Sequence, residues 1–376
     1  MNSEPKKSSG LLAGKKEKSE GPLYKRIVKI LKTRIQHGDY SLKSIPSERK
    51  LAQEFGINFM TVRRSLRALE KEGFLMRQPN GRLSVRSTGL KAKRYFNFAF
   101  LLPANSSGVS AMMDNCRRAL EMVSEKLSAS IRPILFSHWN DPALLDSVKT
   151  FDGVFLYPFE DEPPAAVLNH LRSSGHPLVV LDHDFSRFGI PSIQFFPPVF
   201  AQQLLDHLNK QGHRSIGCIN TQSPNMEILS RINQWRLWMA AHGFSGRLVD
   251  EPVELHGSTG HHSYTVMKKL LEENRGDETA WLCVTMPTAI GAIRAMSDLG
   301  IRPGDDLAVC VINGEGMADL LVPSVTALEQ PDLQTFLKYT LQWMLSGNTV
   351  WQGPLLLQPG DASVVVRDST RKVIAR

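Results

Sequence analysis

The spacing of apolar residues changes near residue 95 and divides the chain into a short helical part and a longer part with strands. Residues 22–37 carry apolar side chains at helical spacing and predict a first helix. A second helix is predicted over 48–55, where Gly56 ends it. A third begins after Asn58, a favourable N-cap, and stops at Gly73. Two short helices joined by a tight glycine-containing turn are typical of a helix-turn-helix.

The third helix has two chemically different faces. Val62, Leu66 and Leu69 fall within one narrow arc of a helical wheel. The opposite side carries a mostly basic set: Met60, Arg64, Arg67 and Lys71, flanked by Arg63. Unpaired cations are too costly to bury, so this side is expected to face solvent or a polyanion.

A hairpin is predicted directly after this helix. In FLMRQPNGRLSVRS, the pair Asn80-Gly81 separates two short runs and favours a tight turn. Three helices and a basic hairpin make a winged helix-turn-helix. Residues 87–95 are polar and basic without an apolar period, and we predict that they form a linker.

From Phe96 onward, apolar strand-like runs alternate with helical stretches. The runs are FNFAFLLP, IRPILFS, GVFLYP, PLVVLD, SIGCIN, AWLCVT and LAVCVI, and helices are predicted over 111–127, 163–173, 199–210, 230–242, 262–273 and 288–298. Continuous apolar strands that alternate with helices predict parallel sheets covered on both faces. About 280 residues is large for one such sheet, so two lobes are expected.

The expected fold class is therefore α/β, with an N-terminal winged helix-turn-helix and a two-lobed, doubly wound α/β domain. The expected domains are a disordered basic tail over 1–20, a winged helix-turn-helix over 21–86, the linker over 87–95 and the two-lobed domain over 96–376. Lobe 1 is expected over about 96–197 and 327–346, and lobe 2 over about 198–326 and 347–370.

Positive charge is concentrated in the helical part. Residues 1–95 hold 23 Lys and Arg against 8 Asp and Glu, whereas residues 96–376 hold 22 against 29. A basic head on an acidic body suggests that the head binds a polyanion such as nucleic acid.

The remaining composition indicates a cytoplasmic protein. The four cysteines form no CxxC pair, so neither a disulfide framework nor a zinc ribbon is expected. The N-terminus lacks the apolar segment of a signal peptide, and no apolar run reaches the ~20 residues that span a bilayer. No membrane contact is therefore expected.

Motifs for catalysis or for metal binding are weak. The closely spaced His256, His261 and His262 match no standard zinc pattern, so we expect no metal and no cofactor. The sequence contains no nucleophile elbow and no phosphate-binding loop. An enzyme would need the DHD stretch at 182–184 to be catalytic, and we do not expect one.

The helical part resembles the winged helix-turn-helix of GntR-family bacterial transcription regulators. The resemblance covers residues 22–85, and its specific elements are PSERKLAQEFG followed by TVRRSLRALEKEGF. It implies that Arg49 and Arg63 approach DNA, since Arg suits both phosphate and guanine edges. The full set of residues predicted to contact DNA is Arg49, Asn58, Phe59, Met60, Thr61, Arg63, Arg64, Arg67 and Arg82.

Phe59 departs from this family, which usually has Arg at that position. A phenyl ring contacts a thymine methyl but cannot donate to guanine, so the operator is expected to differ from the family's common sequence. The alternative is that Phe59 only packs under the start of the helix. The wing also departs, since PNGRLSV replaces a Gly-x-Gly-Thr-Phe hairpin and places Arg82 near the tip, beside phosphate or in the minor groove.

The longer part resembles the ligand-binding domain of LacI/GalR-type regulators, which is similar to periplasmic sugar-binding proteins. The clearest segments are DGVFLYP, HPLVVLDHD, LLDHLNKQGHRSIGCIN, RINQWRLWMAAHGF and AIGAIRAMSDLGIRPGDDLAVCVIN. The resemblance implies two lobes joined by three crossovers, with a ligand cleft between them, and pairing of two bodies into a homodimer.

The positions that contact sugar in the family are altered here. Phe196-Pro197, Thr285-Met286 and Asn313-Gly314 replace acidic and amide pairs, whereas Arg231 matches an arginine that binds sugar in relatives. A drier, more aromatic cleft is expected, with an effector that is a non-standard sugar derivative or an acid. The alternative for the aromatic residues is simple packing of the lobes. The predicted effector-binding residues are Arg231, Trp139, Phe196, Asp182, Asn313 and Ser106.

Together these features predict a DNA-binding transcription regulator, a repressor, with double-stranded operator DNA and a small effector as its partners. Two alternatives remain open at this point. The body is degenerate and senses nothing, or the chain is a small-molecule receptor, which the basic head and the absent signal peptide oppose.

Overall fold

The computed structural model describes residues 22–36, 39–40, 45–79, 81–85, 96–104, 111–127, 129–254, 257–273 and 276–370. The chain forms two compact units, Met1–Tyr95 and Phe96–Arg376, called here the head and the body. The predicted tail, the predicted linker, Asn80 and His256 lie outside the described residues. No helix of the described ranges is both long and apolar enough to cross a membrane.

The head has three helices and a two-stranded hairpin, as predicted. They are α1 (Leu23–Gln36), α2 (Glu48–Phe55), α3 (Phe59–Lys71), β1 (Leu75–Arg77) and β2 (Leu83–Val85). The two strands pair antiparallel, with Leu75 opposite Val85.

Local chemistry fixes the turn between α2 and α3. Gly56 adopts a left-handed φ of 62°, which glycine tolerates without steric cost and which ends α2. The Asn58 side chain then accepts a hydrogen bond from the Met60 backbone N–H at 2.8 Å and caps α3. The predicted apolar arc of α3 is at most 2 % exposed and packs on Leu31 and Leu51 in the head's core.

The body alternates strands and helices along nearly its whole length. Its strands are β3 (Phe96–Pro103), β4 (Ala129–Phe136), β5 (Gly153–Leu156), β6 (Leu178–Leu181), β7 (Ser192–Ile193), β8 (Ile216–Asn220), β9 (Leu248–Asp250), β10 (Ala280–Cys283), β11 (Ala308–Asn313), β12 (Thr326–Leu328), β13 (Leu356–Leu357) and β14 (Val364–Val365). Its helices are α4 (Ala111–Lys126), α5 (Pro142–Thr150), α6 (Ala165–Ser173), α7 (Ala201–Lys210), α8 (Met226–His242), α9 (Thr259–Glu273), α10 (Met286–Asp298) and α11 (Leu333–Leu345).

The strands form two six-stranded sheets, one for each lobe. The first has the order β13-β7-β6-β5-β3-β4, and the second has the order β14-β12-β11-β10-β8-β9. All ladders in both sheets are parallel except that of β12 with β14. The central strands β5, β6, β8, β10 and β11 are buried along their whole length, as expected for parallel sheets covered on both faces.

The chain crosses between the lobes three times, but the last two crossings differ from the predicted boundaries. Strand β12 belongs to the second sheet, so the return to lobe 1 comes after Leu328 and not before 327. Strand β13 pairs with β7 in the first sheet, so the segment 347–370 is divided between the lobes. The position of β13 explains the second difference, because a two-residue edge strand has too little apolar pattern to show which sheet it joins.

Candidate functional site

The head presents an exposed basic surface built from α2, α3 and the hairpin. Arg49, Arg64 and Arg67 are exposed, as are the side chains of Phe59 and Met60 at the start of α3. Arg49 and Arg67 have no ion pair among the described residues. These two guanidinium groups are therefore available to an external anion.

Arg63 is held within the head, between an acid and a ring. Its Nε lies 2.9 Å from Glu48 Oε2, and its guanidinium carbon lies 4.7 Å from the centre of the Phe59 ring. Phe59 is 38 % exposed, and its ring contacts the arginine one turn further on. A guanidinium fixed in this way presents its remaining N–H groups in a defined direction.

Two other arginines are placed by similar contacts. The Arg64 guanidinium lies 4.1 Å from the Tyr24 ring centre, which links α3 to α1. In the hairpin, Arg77 donates to the Gly81 carbonyl at 2.9 Å and pairs with Glu70 at 3.3 Å. Arg82 is exposed beside this turn. Thr61, in the first turn of α3, is half-buried.

The body contains a cavity of about 780 Å³ at the carboxyl ends of its parallel strands. Tyr157 and Asp182 follow β5 and β6 of the first sheet, whereas Thr285 and Asn313 stand at the ends of β10 and β11 of the second. Helix α8 adds Arg231. Because strand ends from both lobes meet here, the cavity is the cleft predicted for a doubly wound pair of lobes.

On the side of Arg231, the floor of the cavity is formed by two hydrogen bonds and by one buried N–H donor that has no partner among the described residues. Arg231 Nη1 donates to the Val284 carbonyl at 3.2 Å, and its Nε is buried without a hydrogen-bond partner among the described residues. The Tyr157 hydroxyl donates to Asp182 Oδ2 at 3.0 Å. Burial raises the pKa of Asp182, although His183 and Arg231 oppose that shift.

Glu315 stands on the other side of the floor. Its backbone N–H donates to Asn313 Oδ1 at 2.8 Å, and its carboxylate accepts from the backbone N–H of Ala111 at the start of α4. Burial, together with the nearby charge of Asp182, raises the pKa of Glu315 to about 7. Asp182 and Glu315 are the non-glycine residues with positive φ in the described part of the chain, at 62° and 51°. Such strained backbone is concentrated at functional sites.

Polar contacts join the two lobes around the cavity. Gln222 Nε2 donates to Glu160 Oε1 at 3.2 Å, and the Asp184 backbone N–H donates to Glu227 Oε1 at 3.2 Å. His183 Nε2 lies 3.8 Å from Glu227 Oε2. These contacts hold the first lobe against α8 of the second.

Carboxylates outnumber cations in this cavity. In the described part of the chain, the lining includes Glu160, Asp161, Asp182, Glu227, Glu254 and Glu315, with Arg231 and His183 as the basic groups. The sequence predicted a drier, more aromatic cleft, whereas this lining is rich in carboxylate acceptors.

Two predicted effector contacts lie in the hydrophobic cores instead. Trp139 is 5 % exposed and packs edge-on against Phe159 at 5.4 Å, so it lies one layer behind the wall that Phe159 forms. Phe196 is 2 % exposed within the largest core cluster. Large apolar rings gain more from this burial than from a polar cavity, so packing accounts for both residues. Ser106 lies outside the described residues.

The other predicted residues line the cavity: Arg231, Asp182 and Asn313. Sequence reasoning missed Tyr157, Glu160, Glu227 and Glu315. Tyr157 and Glu160 were accessible in principle, because they lie at and just beyond the carboxyl end of a predicted strand of a parallel sheet. Glu227 lies on the first turn of a helix that was predicted to begin only at residue 230.

Two family models match the chain, one for each unit. The model "Bacterial regulatory proteins, gntR family" matches residues 23–85, and the model "Periplasmic binding protein-like domain" matches residues 205–370. Both resemblances inferred from the sequence are thereby confirmed.

Known proteins agree with this division. The chain is 23 % identical over 263 residues to "Probable HTH-type transcriptional repressor ExuR" of Bacillus subtilis, covering 66 % of the chain and 73 % of that relative. It is 46 % identical over 57 residues to "HTH-type transcriptional repressor NagR" of the same organism, which is 15 % of the chain and 24 % of that relative. Among solved structures, the Lac repressor dimer bound to operator and the anti-inducer ONPF superposes with a TM-score of 0.59 at 21 % identity, covering 75 % of the chain and 96 % of that structure.

The body thus has the fold of LacI-type ligand-binding domains, and the head has the sequence of a GntR-type DNA-binding domain. The chain thus joins a segment that matches the GntR-family helix-turn-helix to a segment that matches a periplasmic-binding-protein-like domain, and the relatives reported above are named transcriptional repressors.

Proposed function

We propose that this regulator is a cytoplasmic repressor that binds operator DNA through α2, α3 and the hairpin, and that a small effector in the body's cavity changes its affinity for that DNA. The exposed basic surface of the head carries the DNA-binding part of the proposal, since Arg49 and Arg67 have no ion pair among the described residues. The cavity of about 780 Å³ supports the effector part, because it is of the size that small-molecule sites have.

Similar proteins support both parts. Two relatives are named repressors, and the Lac repressor structure holds operator, a second copy and a small molecule. We propose the same partners for this chain, including a second copy of itself. A body that senses nothing is disfavoured, since a degenerate cleft would not be expected to retain a polar floor with paired Asp182 and Tyr157.

Operator binding by the full-length protein tests the proposal. DNA fragments selected by the unmodified protein provide the operator, and fluorescence anisotropy at one fixed salt concentration gives the affinity. Arg49→Ala and Arg67→Ala are each expected to weaken binding by about 1–3 kcal/mol, the usual scale for a base-reading arginine. Arg172→Ala on α6 is the matched control, because it removes an exposed arginine from the body.

Equal affinity in all three variants would show that DNA binds elsewhere. A loss that is the same for every DNA sequence would assign the two arginines to phosphate contacts only.

A further inference from the structure

We infer that the effector is a small polyhydroxylated amine, which carries a protonated amino group beside hydroxyl groups. This inference rests on the proposed function, in that the body binds an effector in the cavity between its lobes. The cavity and its position at the strand ends identify the site. The charged groups of its lining then decide which chemical class fits it.

The balance of charge favours a cation. Six carboxylates line the described part of the cavity, against one guanidinium and one imidazole. Arg231 cannot neutralise this set alone, and one of its N–H groups is already donated to the Val284 carbonyl. A ligand that closes the cavity also removes water from these carboxylates. That step is costly unless the ligand brings opposite charge.

Two of the lining carboxylates that act on one another come from different lobes. Asp182 follows β6 in the first sheet and Glu315 follows β11 in the second, so a charge placed between them acts on both lobes. The two groups are close enough for the charge of Asp182 to raise the pKa of Glu315. An ammonium group provides three donors and a positive charge, and it would relieve the repulsion between these carboxylates.

Hydroxyl groups on the ligand meet the remaining polar atoms. Arg231 Nε is a buried donor without a partner among the described residues, and it requires an oxygen acceptor. Asn313 and the rim carboxylate Glu254 offer oxygens to hydroxyl donors. An apolar amine would leave these groups unsatisfied, at a cost of about 1–3 kcal/mol for each.

An anionic effector fits poorly. The sequence suggested an acid because Arg231 is present and the family's acceptor pairs are lost. The structure adds carboxylates that the sequence did not reveal, among them Glu160, Glu227 and Glu315. A carboxylate carried by the ligand would be repelled by these groups more strongly than Arg231 could attract it.

Matched ligands test the inference on the full-length protein. Glucosamine, galactosamine and mannosamine are compared with glucose, galactose and mannose, and with glucuronate and galacturonate, by thermal shift and then calorimetry. At least one amino sugar is expected to bind at least tenfold more tightly than its neutral parent and than the uronates.

Variants connect the preference to the carboxylates. Asp182→Asn and Glu315→Gln keep the side-chain size and are each expected to weaken binding of the amino sugar at least tenfold, with a smaller effect on the neutral parent. Glu125→Gln, an exposed carboxylate on α4 outside the cavity, is the control and is expected to bind normally. Circular dichroism confirms that each variant is folded.

Either of two results would overturn the inference. In the first, a neutral sugar or a uronate binds as tightly as the best amino sugar; in the second, none of the three amino sugars binds. The proposed function fails in a different experiment. An amino sugar that binds tightly but leaves operator affinity unchanged would refute effector control and leave the ligand class standing.

Discussion

At the scale of single residues, the positions that break local rules are concentrated at the two sites. Asp182 and Glu315 hold left-handed backbone without being glycine, and both line the cavity. In the head, Phe59 exposes a ring at the first position of α3. Each departure costs stability locally, so each is best explained by what the residue contacts.

The first of these departures predicts a dependence of stability on pH. The folded-state pKa of Glu315 is about 7, above the ordinary value of a carboxyl in the unfolded chain. The folded protein therefore binds a proton on Glu315 more tightly than the unfolded chain does. The protonated carboxyl stabilises the fold at low pH, and this stabilisation is lost as pH rises from the ordinary carboxyl pKa through 7. The charged groups that act on it are Asp182, which raises the pKa, and Arg231, which lowers it.

Glu315→Gln is expected to raise the melting temperature of the ligand-free body at pH 8 and to leave it unchanged near pH 4.5. The difference in the free energy of unfolding at pH 8 is about 3 kcal/mol, because the pKa is raised from 4.5 to about 7. Scanning calorimetry across this pH range measures it, with Glu125→Gln as the control. A variant that is stabilised equally at both pH values would show that relief of packing, not of charge, is responsible.

The second departure predicts that Phe59 orients an arginine. The ring lies 4.7 Å from the Arg63 guanidinium, which Glu48 holds from the other side. Phe59→Ala is expected to weaken operator binding by about 0.5–1 kcal/mol, the scale of an exposed cation–π contact. Phe59→Leu retains apolar bulk without the π face, so it separates orientation of the arginine from contact with a thymine methyl.

If Phe59 acts through Arg63, the Arg63→Ala and Phe59→Ala effects on operator affinity are not additive. A double-mutant cycle measured by anisotropy gives this coupling directly. Additive effects would mean that Phe59 does not act through Arg63, so that any effect of the ring comes from its own contact with the DNA.

At the scale of elements, the pattern of apolar residues identifies most of the fold. The second helix has the predicted ends, and α4, α6, α7 and α10 begin within two residues of prediction. Long helices with a cap or a glycine stop carry several independent indications of where they lie. The helices α5 and α11 were not among those predicted, nor were the short strands β7, β9, β12, β13 and β14.

The missed elements share a physical cause. Strands of two or three residues contain at most one repeat of any pattern, and their pairing is decided by the sheet they join. The cavity shows the same limit. Asp182 follows β6 and Asn313 ends β11, both strands that the apolar runs predicted, whereas Glu315 reaches the cavity through a turn after Gly314 that no periodicity describes.

At the scale of the whole molecule, the unequal charge of the two parts assigns them different tasks. The basic head suits a polyanion, and the net negative charge of the body does not favour one. The same body carries exposed apolar residues on elements of both lobes, among them Met122 on α4, Leu135 on β4 and Leu237 on α8. Isolated exposed apolar residues are common, so they do not by themselves locate an interface.

The proposed assembly with a second copy leads to a prediction about mass and operator symmetry. One head offers a small DNA interface, and a two-fold dimer doubles it while requiring half-sites related by the same symmetry. Sedimentation of the protein at micromolar concentration is expected to give about twice the chain mass of 42.0 kDa. The selected operator is expected to be an inverted repeat. Changing the sequence of one half-site is expected to weaken binding by much more than changing the sequence of the spacer at constant length.

A species of single-chain mass both with and without DNA would refute the dimer. A dimer that binds a single half-site as tightly as the full repeat would show that the second head does not contact the operator.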